Sequence, residues 1–279
     1  GKSKNEGISM HGPAVASLLV GKECGVAPGA KLVYRAVPST GRNFNYDADA
    51  LLDIIELNKT LPPENKVRIV SCSIGYIEER PETGLERWIE TIKKAEAEGI
   101  IVSDVGDRTG VDSIGGGTSA DKNDPENYDK ALFLFLKEQK DEELNKIFAE
   151  SDGDIELILQ KIKELKRNEI EIANFSDAFL KKEIEQILLE KDKKDKKIII
   201  PCDYRTMASN TGPNEFMYNG KGGLSWAVPY LTGLFALAFQ INPNLTKEEI
   251  ANAINNTAVK NKKGFKVVNP KGFINAIKA

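Results

Sequence analysis

Two β-rich apolar runs flank one amphipathic helix, and this arrangement constrains the fold more than any other feature of the chain. Residues 67–74 (Val-Arg-Ile-Val-Ser-Cys-Ser-Ile) run into Gly75, and residues 99–103 (Gly-Ile-Ile-Val-Ser) form the second run. Residues 83–98 between them read as a helix. Leu85, Trp88, Ile89 and Ile92 share a face, Thr83 and Glu86 are spaced as a capping box, and Gly99 follows the end. Strands with almost no polar alternation are covered on both faces, which is the mark of parallel pairing. The expected class is α/β: a parallel sheet with helices on both faces.

The pattern continues on either side. Residues 11–20 form a short apolar helix that starts at His11, has small residues in its first turn and is followed by Gly21. Pro13 suits an early helical position, where a missing N–H costs nothing. A turn over 25–30 leads to a predicted strand over 31–37 (Lys-Leu-Val-Tyr-Arg-Ala-Val). A helix over 46–57 follows, with Leu51, Leu52, Ile54, Ile55 and Leu57 as its apolar face. Composition shifts near Gly115. Residues 118–197 are charged and helix-rich, with apolar stripes over 131–136, 155–159 and 184–189 and a Lys/Asp connector over 191–197. The core pattern resumes with a strand over 197–201, an irregular stretch over 204–219 and a long apolar helix over 225–240. A helix capped by Thr246 and Glu249 comes next, then a terminal strand and helix over 265–276. The expected organisation is a core formed by 1–117 and 198–279, interrupted by a helical insertion over 118–197.

Charge and cysteine content narrow the function. With 39 basic against 42 acidic residues, the net charge of −3 gives no general attraction to nucleic acid. No apolar run is read as a bilayer span. Three scattered cysteines, Cys24, Cys72 and Cys202, lack metal-ligand spacing and are read as buried free thiols rather than a disulfide framework. The one histidine, His11, makes a structural zinc site improbable, and no metal or cofactor is expected. Any nucleophile activated by an imidazole must therefore use His11.

One serine is placed for that role. Gly220, Gly222 and Gly223 precede Ser225, and an apolar helix follows. A hydroxyl there sits at the positive end of a helix dipole, and its own backbone N–H can face a developing oxyanion. An ordinary N-cap serine after a glycine loop is the plainer alternative. Chain order discriminates further. No histidine follows Ser225, which excludes the Ser-Asp-His order of α/β-hydrolases, and the helix content excludes a double β-barrel. An Asp, His, Ser order on an α/β scaffold remains.

Four blocks in that order resemble the subtilisin-like serine peptidases. His-Gly-Pro-Ala-Val-Ala at His11 resembles the family's histidine block, and Gly-Val-Ala-Pro-Gly-Ala at Gly25 the block after it. Ser-Cys-Ser-Ile-Gly at Ser71 resembles the strand end that lines the substrate cleft. Gly-Leu-Ser-Trp-Ala-Val-Pro-Tyr at Gly223 resembles the nucleophile block, and Asn256-Thr257-Ala258 and Val268-Asn269 the closing pattern. The resemblance implies a subtilisin-like sheet, Ser225 as nucleophile and oxyanion donor, and His11 as general base. It also implies that Ser73, Ile74 and Gly75 pair with a peptide or protein substrate as an added strand.

The sequence departs from the family pattern twice. The ten residues before His11 contain Glu6 but no aspartate. The family's aspartate is therefore expected on an N-terminal segment outside this sequence, which would act as a partner of the domain. Where the family has an asparagine oxyanion donor, the best match is Asp107, and an ionised carboxylate repels an oxyanion. The expected activity is that of a serine endopeptidase completed by the missing segment. The alternatives are a catalytically impaired peptide-binding or regulatory module, and a scaffold whose helical insertion docks a partner.

Overall fold

The computed structural model describes residues 9–38, 43–75, 82–105, 109–111, 114–118, 125–130, 146–147, 149–152, 154–164, 198–220, 222–262 and 264–278. The apolar stripes at 131–136 and 184–189 and the connector at 191–197 lie outside the described residues.

The flanking runs form β1 (Ile69–Ser71) and β2 (Ile101–Ser103), paired in parallel with Ile69 opposite Ile101 and Ser71 opposite Ser103. The helix between them, α3 (Leu85–Ala97), lies beside α2 (Asn45–Thr60). Period-two alternation divides the strand side chains between two cores. Val70, Ile100 and Val102 face α2 and α3, packing with Leu51, Ile55, Trp88 and Ile92. Ile69 and Ile101 face the other way, toward α1 (His11–Val20) and α5 (Leu224–Ile241). Helices thus cover both faces, as the alternation requires.

A five-stranded sheet carries the rest. Its order is β4 (Asp129–Lys130), β3 (Ile114–Thr118), β5 (Ile198–Pro201), β9 (Lys266–Val267) and β8 (Val259–Lys260). The three inner strands are parallel, and the two outer ones are antiparallel to their neighbours. Ile198 and Ile200 enter the α5 core, while Ile199 packs with Tyr128 and Val267 on the opposite face. Helix α4 (Ile155–Glu164) lies in the charged region. Helices α6 (Lys247–Thr257) and α7 (Pro270–Lys278) close the chain, and Thr246 and Glu249 make the expected capping box.

Three local expectations are corrected. Residues 31–37 belong to no sheet among the described residues, and Leu32, Tyr34 and Val37 are exposed. A strand exists only through its neighbour's hydrogen bonds, and β propensity does not supply one. Helix α3 has no Thr83 capping box. Gly84 is the cap, at φ +77°, because Thr83 bridges Asn43 and its carbonyl accepts the Phe44 N–H at 2.8 Å. The stretch read as irregular contains an antiparallel hairpin, β6 (Arg205–Ala208) with β7 (Phe216–Asn219). Its inward positions are Arg205 and Met207, so a charged residue on the buried face hid the alternation. Helix α5 is long and apolar enough by composition to cross a bilayer. In the fold, eleven of its residues, among them Trp226, Leu231 and Phe235, are buried in the protein core.

Candidate active site

The serine is held by the most buried helix of the molecule. Gly223 caps α5, so Ser225 is the second helical residue rather than the cap. The first-turn N–H groups of a helix have no acceptor within it, and the Ser225 N–H is one of them. Two bonds tie Ser225 to the end of β1. The Ser73 hydroxyl donates to the Ser225 carbonyl at 2.9 Å, and the Ser225 hydroxyl donates to the Ser73 carbonyl at 3.4 Å. The second is long for an O–H···O bond, so that hydroxyl is weakly committed.

The glycine loop before the helix is fastened by groups the sequence reading overlooked. Asp203, buried just after β5, accepts the Gly222 N–H at 2.5 Å. A side chain at 222 would run into the Cys202 carbonyl, so glycine is required by the close approach of the two chains. Arg205 is also buried; it donates to the Pro201 carbonyl at 3.3 Å and lies over the Tyr230 ring at 5.5 Å. Burial lowers its pKa and pushes the Tyr230 phenol up to about 12. The signal available in sequence was the Asp-Tyr-Arg triplet directly after an all-apolar strand, where charged residues need internal partners.

The histidine stands at the other helix tip. Helix α1 packs against α5 through Ala14 and Leu18, and His11 is its first residue. Its imidazole lies against the indole of Trp226, the residue after Ser225, with ring centroids 5.3 Å apart and planes tilted by 32°. His11 keeps an exposed surface, and partial burial holds its pKa below the ordinary 6.5, which favours the neutral ring at neutral pH. Among the described residues no hydrogen bond joins His11 to Ser225. The Tyr34 hydroxyl lies close against Gly12, the residue after His11.

The strand edge expected to take a peptide has a defined polarity. The Cys72 N–H donates to the Ser103 carbonyl, and the Ile101 and Val105 N–H groups donate to the Arg68 and Ile74 carbonyls. Even-numbered peptide groups therefore face β2, and those of Ile69, Ser71, Ser73 and Gly75 face away from it. Of the three residues predicted to contact substrate, Ser73 and Gly75 present backbone to that edge, while the Ile74 carbonyl is engaged with Val105. Asp107 and Glu6 lie outside the described residues. All three cysteines are free, Cys202 fully buried and Cys24 and Cys72 only partly so. Burial pushes the Cys202 thiol up to about 12 and raises that of Cys72 as well, so neither is a ready nucleophile. Among the described residues no group of three His, Cys, Asp or Glu side chains could hold a metal ion.

A family model of the subtilases matches residues 1–134. The fold is subtilisin-like. The same fold is seen in the structure describing subtilase cytotoxin SubAB assembly, with TM-score 0.54, 15% identity, 99% of this chain and 78% of that one covered. The prenylagaramide maturation protease PagA gives 0.53 and 14%, covering 98% of this chain and 85% of its own. The PatG macrocyclase in complex with peptide gives 0.54 and 14%, covering 98% and 69%. No curated protein matches the sequence. In this subtilisin-like fold the β1 edge, the α5 tip and the α1 tip converge.

Proposed function

We propose that this chain is a serine endopeptidase domain in which Ser225 is the nucleophile and His11 the general base. The observation that carries the reading is the packing of the two helix tips. His11 stands against Trp226, the neighbour of Ser225, and Ser225 is bonded to the edge strand at Ser73. A peptide lies along the outward groups of Ser73 and Gly75. The weak bond from the Ser225 hydroxyl to Ser73 gives way, and Oγ attacks the scissile carbonyl. His11 takes the hydroxyl proton and returns it to the leaving amine, and the Ser225 N–H faces the oxyanion. Catalytic hydrogen bonds are often unformed without substrate, so the absent His11–Ser225 bond is compatible with this scheme.

The third member of the triad, a carboxylate, is supplied by a strand that adds to the edge of β1, which is open among the described residues. The outward peptide groups of Ile69 and Ser71 and the unpaired, strand-like residues 31–37 support such an addition. The test is labelling with a fluorophosphonate in protein that carries this strand. Ser225 is expected to react, and Ser225→Ala to lose the label. Unlabelled Ser225 in that protein would favour the impaired peptide-binding module instead.

A further inference from the structure

We infer that Trp226 is a positioning residue for the imidazole of His11, the wall that sets the ring plane which Ser225 meets. This rests on the peptidase reading above for its consequence, but not for its geometry. The indole is itself locked. It is buried in the α5 core, and its Cδ1 lies only 2.9 Å from where a side chain at Gly222 would begin. Gly222 is in turn pinned by Asp203 through its N–H. A rigid sequence of contacts therefore runs from the buried carboxylate of Asp203, through the Gly222 backbone and the indole, to the imidazole.

The imidazole needs such a wall. His11 is the first residue of α1, its N-terminal neighbour Met10 makes no side-chain cap, and among the described residues no hydrogen bond holds either ring nitrogen. An imidazole without a hydrogen-bonded orienting group has two free torsions. Contact with a large ring that cannot move removes most of that freedom while leaving both nitrogens open for chemistry. Trp226 is one residue from the nucleophile on the same helix, so the wall and the hydroxyl move as one body.

Because His11 is the one histidine, its ring can be read directly by NMR. In the full chain the carbon-bound imidazole protons are expected upfield of free histidine, shifted by the indole, and to titrate below 6.5. In Trp226→Leu they return to the free position and titrate closer to 6.5. In Trp226→Phe, which keeps a smaller ring, they lie between the two. For the strand-completed protease, kcat should fall on the order of 10- to 100-fold in Trp226→Leu with KM unchanged, and Trp226→Phe should recover part of it. Unchanged imidazole shifts in a folded Trp226→Leu protein would overturn the proposal, as would a loss confined to KM. If the leucine variant does not fold, the phenylalanine variant decides: shifts identical to those of the original chain overturn it, and intermediate ones support it. A strand-completed protein that shows the upfield ring but takes no fluorophosphonate would sink the peptidase reading alone.

Discussion

The Ser225 side and the His11 side of the candidate site are built to different standards. Ser225 rides on α5, which is buried along most of its length, bonded to β1 and approached through a loop pinned by Asp203. His11 begins a helix whose neighbours include residues 31–37, an exposed stretch outside any sheet that ends its reach with Tyr34 over Gly12. One side is finished by the chain's own packing. The other has, among the described residues, an open β1 edge and three exposed apolar side chains. On the proposed reading, the difference teaches where this domain is dependent: on a strand that completes the sheet next to His11, rather than on anything near Ser225.

The strongest way to sharpen that contrast is to supply the proposed strand. Adding a strand that ends in an aspartate and aligns parallel to β1 should raise peptidase turnover by about 10⁴, the usual effect of the orienting carboxylate in such triads. The same strand ending in asparagine should pair equally well and leave turnover low. Equal rates with Asp and Asn would remove the carboxylate from the mechanism.

Next come paired substitutions on the two sides. Phe235→Ala, at a fully buried position of α5, should cost about 3–5 kcal/mol in urea unfolding. Leu32→Ala, at 44% exposure, should stay within about 0.5 kcal/mol. If the edge is then filled, Leu32→Ala should become more costly, because its side chain gains a neighbour. A large cost for Leu32→Ala in the unfilled chain would break the comparison.

The smallest expected effect is on pH. The folded pKa of His11 is lowered by burial, so the unfolded chain takes up its proton first as pH falls through 6.5. This contribution to stability is therefore present above pH 6.5 and declines below it, until the folded ring is also protonated. The stability difference between the original chain and His11→Gln should shift in that window and be flat above it. A difference that grows on acidification would reverse the sign and contradict the partly buried neutral ring.

Legibility in the sequence followed the kind of interaction involved. The helix of His11, the strands 69–71 and 101–103 and the helix of Ser225 were readable because apolar periodicity and terminal glycines are local signals. Thr246 and Glu249 declared their cap for the same reason. Tertiary partners were not readable. Thr83 looked like a cap until Asn43 and Phe44 claimed it. Residues 31–37 had strand composition but no neighbour. Arg205 disguised a hairpin by sitting on its buried face under Tyr230. At the candidate site, the helix tips that carry His11 and Ser225 were legible from their flanking residues. The roles of Trp226 and Asp203 were not, because their importance comes from contacts across the fold.

The paired serines at positions 73 and 225 also act as a ruler. They fix Ser225, the proposed nucleophile, against one point on the strand edge, so a polypeptide lying there in β register is measured from that point. Slipping by a single residue would turn every side chain to the wrong face. Permitted slips therefore come in steps of two residues, on the order of 6.6 Å. A sliding chain would accordingly be cut, if cut more than once, at bonds separated by an even count.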